Sequence, residues 1–379
     1  MIRKEIYVLV IFLVLHQSSE QIHSFDYSSI LGNVNIEIDI GTPMKRKYFE
    51  ADLIHNLTYI NNNFYRESYT KINHGRGVCS HEGNNNVSYL LLSDCIKITN
   101  QEKDRKDFEH FYFYFFNQTF YQFDSISFGK DISDKRLSIV YQLYENNLIQ
   151  KKQFSFINDA NNQNGHIYLG GLPSHITKGL YSTTMKTESS LPTWAANLNK
   201  ITFGNNNKEY IPKNKEYVMF YTYSKTYAPS TFFDFLEETL FKEYIDKEQC
   251  TRTRYKNKLN IFECDCDILD YLPRVSFVID NKYFEFDKSL LYFRTLQDKC
   301  RLKIEETIYD NENEWRIGFE FLEMYPTIFD YDTKSITIYN KFKYPQNEKK
   351  SLVYLYIFFS CVNILMIIIL CYYKVKKNY

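Results

Sequence analysis

The 379-residue chain has no surplus of charge of either sign: 46 Lys and Arg balance 46 Asp and Glu, and the isoelectric point is near 7.1. Without a basic field nothing draws it to nucleic acid, and nothing marks it for an acidic substrate. It also lacks a low-complexity linker and any short internal repeat, although Asn, Lys, Tyr and Ile are abundant throughout. Long apolar runs are scarce, and the two that exist lie at the ends. Between them the body, residues 21–349, is long enough for two lobes with cores of their own.

The end segments set the compartment. Residues 1–5 are short and basic, 6–15 are apolar, and 16–19 are small and polar, the layout of a cleavable secretory signal at 1–19. Its apolar part is too short to span a bilayer. Residues 352–373 form an uncharged apolar and aromatic run that is long enough for one transmembrane helix. A single-pass type I membrane protein is expected, with a lumenal or extracellular body and residues 374–379 in the cytosol. Lys349 and Lys350 nearly balance Lys374, Lys376 and Lys377, so the orientation rests on the signal. The terminal Lys376-Lys377-Asn378-Tyr379 resembles the dilysine retrieval signal of type I endoplasmic reticulum proteins. An ordinary basic flank is the alternative, and it would leave the protein at the cell surface.

Cysteine use fits an oxidising compartment. Cys79 and Cys95 lie in the first half of the body, and Cys250, Cys264, Cys266 and Cys300 in the second. Pairing within halves joins Cys79 to Cys95 and leaves three arrangements of the other four. Cys264 and Cys266 are too close in sequence to bridge easily. The expected pairs are Cys250–Cys264 and Cys266–Cys300, with the crossed arrangement left open. A metal site at Cys264 and Cys266 lacks nearby histidines and the usual two-residue gap, so neither a metal nor another cofactor is expected. Three sequons, at Asn56, Asn86 and Asn117, add to the secretory reading. A glycan on Asn56, four residues beyond Asp52, would obstruct a cleft there.

The chain reads as mainly β, with short strands, turn signals and few helices. Residues 275–280 and 283–286 alternate as two arms of a hairpin turning near Asn281. Ser230 or Thr231 is placed to cap a helix whose Phe233, Leu236, Leu240 and Tyr244 form a core-packing stripe. Residues 137–148 suggest a shorter helix feeding a strand at 154–157.

One constellation points to chemistry. Ile36-Glu37-Ile38-Asp39-Ile40-Gly41-Thr42-Pro43 alternates like a strand, turns at Gly/Pro, and leads to a second apolar stretch ending at Asp52. It resembles the first lobe of the pepsin-like aspartic proteases, family A1, in which an Ile-Gly-Thr-Pro strand precedes the catalytic Asp-Thr-Gly at this spacing. Further resemblances follow in order: Phe123-Asp124-Ser125-Ile126-Ser127-Phe128-Gly129, then Gly165 to Gly171, Trp194, and Ile201-Thr202-Phe203-Gly204. Cys266 and Cys300 bracket Leu272-Pro273 and the hairpin as the family's late disulfide does, and Trp315-Arg316-Ile317-Gly318-Phe319 through Asp330 resembles its closing strands. The likeness spans about 33–339. It implies a bilobal, mainly β pepsin-like fold, with a first lobe at 20–175, a second at 176–348, and the transmembrane helix after it.

That family's chemistry needs two carboxylates about 3 Å apart sharing one proton. Here the two triplets read Asp52-Leu53-Ile54 and Phe220-Tyr221-Thr222. Asp52 is the one surviving member of the pair, and Phe220 stands at the mirror position. Leu53 and Ile54 replace a bracing Thr and a tight-turning Gly. Around 79–92, where the family's flap carries a substrate-covering Tyr, the matching stretch reads Ser80-His81-Glu82-Gly83-Asn84. Little room for an inhibitory pro-segment separates Ser19 from Asn33. Asp330 and Asp332 look paired, but they fall on the family's last strands, where an Asp is structural.

The resemblance therefore implies a catalytically inactive pseudoprotease, membrane-anchored, that binds a polypeptide in or near its cleft. One alternative is an active aspartic endopeptidase using Asp52 with another acid, although no Asp or Glu lies between Tyr217 and Ser230. Another is a structural surface glycoprotein.

Overall fold

The computed structural model describes residues 22–340, apart from 31–32, 42–44, 55–57, 62–70, 82–84, 101–104, 117–123, 132–133, 159–163, 205–207, 224, 255–259, 287–290, 296 and 308–312. The expected signal at 1–19, the apolar run at 352–373, Lys376 and Lys377, and Asn56 and Asn117 lie outside the described residues, as do the side chains of Cys79, Asn86 and Cys95. Among the described residues no helix is long and apolar enough to cross a membrane.

Two halves of the chain build matching structures around a shared sheet. Six neighbouring strands of a 13-stranded sheet form it, three from the first half, His23–Ile30, Gln153–Asn158 and Asn164–Leu169, and three from the second, Tyr181–Lys186, Thr327–Asp330 and Ser335–Asn340. The two sets join where Thr327–Asp330 pairs antiparallel with Gln153–Asn158, Phe329 opposite Phe154. At this seam Phe154 stacks on Phe329 with ring centroids 4.8 Å apart, and Trp194 meets Phe329 edge-on at 5.3 Å. All three rings are fully buried. Such aromatic pairs add about 0.5–1.5 kcal/mol each to the burial of their area, so the seam is a core shared by both halves.

The fold starts ten residues earlier than the sequence resemblance suggests. His23–Ile30 pairs with Asn164–Leu169 from His23↔Leu169 to Ser28↔Asn164. Its polar composition, His-Ser-Phe-Asp-Tyr-Ser-Ser-Ile, hides it from a hydrophobic-period reading. Sheet pairing overrides the weak local signal.

The hairpin at 275–286 is present as Val275–Ile279 and Lys282–Phe286, in register from Val275↔Phe286 to Ile279↔Lys282. Asp280 and Asn281 both carry positive φ, 47° and 62°, the two-residue turn whose twist suits a hairpin. The helix at 230 differs from expectation in two ways. Ser230 and Thr231 lie inside Ser230–Leu236 with Pro229 at the cap, and the Thr231 hydroxyl instead meets the Tyr210 hydroxyl at 2.8 Å. A π turn, Glu237–Phe241, then adds a residue to the helical period. Consequently Phe241 takes the fully buried position, while Leu240 and Tyr244 are only partly buried.

A third, four-stranded antiparallel sheet comprises Cys250–Arg254, Asn260–Asp265, Lys299–Leu302 and Tyr292–Arg294. Its disulfides are Cys250–Cys264 and Cys266–Cys300. They fit an extracellular or secretory-pathway domain.

Candidate functional site

Asp52 ends the strand Lys45–Asp52, which runs parallel to Asp124–Ser127 with Asp52 opposite Ser127. In the second half, Phe220 ends Glu216–Phe220, which runs parallel to Glu314–Ile317 with Phe220 opposite Ile317. Each strand is followed at the same distance by a threonine whose hydroxyl fastens the neighbouring turn. Thr58, six residues after Asp52, accepts the Ser127 N–H at 3.0 Å, and Thr226, six after Phe220, accepts the Gly318 N–H at 3.1 Å. Short strands then follow, Tyr59–Asn61 crossing antiparallel at Ser125 and Thr226–Ala228 at Arg316. The two loops are built alike.

A relay of hydrogen bonds joins them. The Asp52 carbonyl accepts the Phe128 N–H at 2.7 Å, the Phe128 carbonyl accepts the Trp194 indole N–H at 2.7 Å, and the Trp194 carbonyl accepts the Phe220 N–H at 3.0 Å. Trp194 is fully buried, so each of these groups depends on its partner. A second tie runs from the Val34 N–H to the Thr222 carbonyl, 3.3 Å. Asp52 and Phe220 are thus brought to the same junction.

Their side chains differ in kind. Asp52 is 5 % exposed, and its Oδ1 accepts the Ile54 N–H at 2.8 Å. This turn-closing hydrogen bond comes from the backbone, so a β-branched residue donates it as glycine would. The Phe220 ring has no exposure and packs edge-on against Phe321 and Phe329, centroids 5.5 and 6.0 Å away. It is part of the shared core.

The sequence reading missed two residues at this junction. Tyr223, three beyond Phe220, hydrogen-bonds the carboxyl of Glu50, which lies two residues before Asp52 on the same strand and is buried. Residues i and i+2 of a strand share a face, so Glu50 and Asp52 lie together and Tyr223 reaches them from the second half. Burial first, and then the Glu50 hydrogen bond, push the Tyr223 phenol well above its ordinary value. Tyr221 stacks on Tyr223 at 4.3 Å with Arg316 5.9 Å over its ring. A phenol–carboxyl contact between a strand and a distant loop leaves no sequence signature, because its partners are 173 positions apart and each is unremarkable in its own segment.

Nearby, Gly318 is fixed by close approach. A Cβ there would lie 2.7 Å from Glu320 Oε2 and 2.8 Å from the Lys225 carbonyl oxygen. Glu320 is 8 % exposed, and burial raises its carboxyl to about 7. Asp330 is structural: its Oδ1 accepts the N–H groups of Asp332 and Thr333 at 2.8 and 2.9 Å, and its Oδ2 accepts from Gln153.

Comparison with known proteins agrees with this architecture. Residues 67–340 match the family described as eukaryotic aspartyl protease. The chain belongs to that family. Asp52 lies outside the matched residues. No curated protein matches the chain. Among solved structures it is similar to the aspartic proteinase from Irpex lacteus, at 14 % identity and a TM-score of 0.65, covering 84 % of this chain and 96 % of that one. It is also similar to the basic 7S globulin from soybean, at 13 % identity and 0.68 over 84 % and 96 %. A third likeness is to conglutin gamma, a basic 7S globulin from lupine seeds, at 12 % identity and 0.69 over 86 % and 96 %. At these identities the likeness shows the pepsin-like bilobal fold and does not choose between proteinase and globulin.

Proposed function

We propose that this aspartyl protease family member is a membrane-anchored, catalytically inactive protein of the secretory pathway that holds a polypeptide in or near the cleft between its lobes. The observation that carries the loss of catalysis is Phe220. It ends the second-lobe strand that answers the strand of Asp52, and its ring is wholly buried against Phe321 and Phe329. Peptide hydrolysis by this fold needs a second carboxylate to hold and return a proton. Losing a positioned acid–base group removes typically about 10²–10⁴-fold in rate. Tyr223 now meets the first-lobe acid Glu50 at that junction.

Polypeptide binding rests on the fold, since a groove between two β lobes accommodates an extended chain whether or not it is cut. Anchoring rests on the uncharged run at 352–373 and the signal at 1–19, and the oxidising compartment on the disulfides.

The test incubates the full-length protein in detergent with an unstructured protein at pH ~4, where carboxylate dyads work. It is run with and without a transition-state-like peptide inhibitor, alongside Asp52→Ala and Glu50→Gln. No cleavage together with measurable peptide binding supports the proposal. Inhibitor-sensitive cleavage lost in Asp52→Ala overturns it in favour of an active endopeptidase, and loss in Glu50→Gln as well would name the second acid. Absence of both cleavage and binding would favour a structural glycoprotein.

A further inference from the structure

The four-stranded sheet of the second lobe sets three cysteines in one row across adjacent strands. Cys250 stands directly opposite Cys264, and Cys264 directly opposite Cys300. Opposed residues of antiparallel strands project to the same face, and the three are buried, at 2, 1 and 5 % exposure. Covalently, however, Cys264 is bonded to Cys250, while Cys300 is bonded to Cys266, at the start of the 3₁₀ turn Cys266–Asp270. The central sulfur of the row therefore sits in register between its own partner and a sulfur of the other disulfide.

Opposed Cα atoms in such strands lie about 4.5–5.5 Å apart, inside the roughly 4.4–6.8 Å that a disulfide spans. Cys264 and Cys300 are thus placed to bond without a shift of either strand. Beside the row opens a cleft of about 360 Å³, lined by Cys250 with Gln249, Thr251, Glu263, Lys299 and Arg301. Thr251, Glu263, Lys299 and Arg301 alternate with the cysteines along their strands and face the other side of the sheet, so the cleft touches the row at Cys250 alone.

We propose that this row is a thiol–disulfide exchange site, in which Cys264 transfers from Cys250 to Cys300 after attack by a dithiol reductant. In the first step the dithiol gives two electrons to the Cys250–Cys264 bond and leaves as its own disulfide, so that Cys250 and Cys264 become thiols. Cys264 then loses its proton, and its thiolate attacks Cys300 Sγ. The Cys264–Cys300 bond forms as Cys266–Cys300 breaks, and the electron pair passes to Cys266, which takes up a proton. This second step consumes neither oxidant nor reductant. Its product is a sheet still stapled between strands, with a free thiol on half-buried Cys266. Cys266 Sγ lies 3.6 Å from the Asp298 carbonyl, at the rim of the same sheet. The site is independent of the cleft between lobes.

The test maps disulfides in the full-length protein by acid quench, alkylation and mass spectrometry of unreduced digests. In Cys250→Ser, Cys264 starts as a thiol. On the order of half the molecules should then carry a Cys264–Cys300 link with alkylated Cys266, as expected when the two alternative bonds are similarly stable. Retention of Cys266–Cys300 with Cys264 alkylated in essentially every molecule overturns the proposal. Should that variant not fold, the wild type treated with limiting dithiol gives the same decision. Labelling of Cys250 and Cys266 supports exchange, and labelling of Cys250 and Cys264 with Cys266–Cys300 intact refutes it.

Discussion

Trp194 donates its indole N–H to the Phe128 carbonyl across 2.7 Å, and the same Phe128 offers its own N–H to the carbonyl of Asp52. Because the Trp194 carbonyl in turn receives the Phe220 N–H, one residue spans the two loops that would carry a catalytic pair. Replacing Trp194 with Phe keeps an aromatic ring and deletes the donor, leaving the Phe128 carbonyl buried and unmet. The expected loss is about 1–3 kcal/mol of unfolding free energy, read by denaturant titration. A larger loss, about 3–5 kcal/mol, is expected for Trp194→Ala, which also opens a cavity. A Trp194→Phe protein as stable as the wild type would mean that the relay contributes nothing net.

Restoring the missing acid at 220 should not restore catalysis. In Phe220→Asp a carboxylate would replace a ring with no exposure, facing Phe321 and Phe329 in the shared core. Loss of the ring alone costs about 3–5 kcal/mol, and an unpaired buried charge adds to it. The expected result is a destabilised protein without inhibitor-sensitive cleavage at acid pH. Cleavage in this single variant would show that only one carboxylate separates the chain from an active protease.

How much of this was legible in the sequence depends on the range of the interaction. The hairpin at 275–286 was legible because its signal is local, with alternation on both arms and Asp280-Asn281 in the turn. Order and spacing of glycine-bounded strands made the bilobal fold readable, and Asp52 and Phe220 could be placed by the same landmarks. The strand His23–Ile30 was not readable, because it owes its existence to its partner 140 positions away and carries a polar pattern. The π turn was hidden too, since it leaves composition unchanged and merely moves the core position from Leu240 to Phe241. Tyr223 and Glu50 meet only because the connection after Phe220 folds against the strand that carries Asp52. Pairwise contacts between such distant positions have no periodicity to betray them.

Thr58 and Thr226 hold equivalent hydrogen bonds in the two lobes, to the N–H groups of Ser127 and Gly318. Thr58 also donates to the Leu137 carbonyl and is fully buried. Valine preserves shape at either site and removes the hydroxyl, so each substitution should cost about 1–3 kcal/mol, with Thr58→Val the costlier. Thr58→Val also erases the sequon at Asn56. Asn56→Gln separates the two roles, since it removes any glycan but leaves the hydroxyl. If stability falls equally in both variants, the glycan and not the hydrogen bond is what matters at Thr58.

Glu320 gives the second lobe a pH dependence with a definite sign. Its carboxyl rises to about 7 from an ordinary 4.5, chiefly through burial, with Lys303 at 3.9 Å opposing the rise and Glu323 adding to it. Between these two values the unfolded chain has released the proton and the folded chain has not, so raising the pH favours unfolding. The stabilisation is therefore complete below about 4.5, falls as pH rises to about 7, and is flat above that. Across this window the swing is on the order of 3 kcal/mol. Glu188 runs the other way, because the Lys215 hydrogen bond holds its carboxyl down near 2 and its contribution fades only in acid. Comparing Glu320→Gln with the wild type isolates the first effect. The variant should match the wild type near pH 4.5 and become progressively more stable than it up to pH 7, as followed by denaturant unfolding at each pH. Parallel profiles for the two proteins would show that the Glu320 carboxyl is ionised in the folded state well below neutrality.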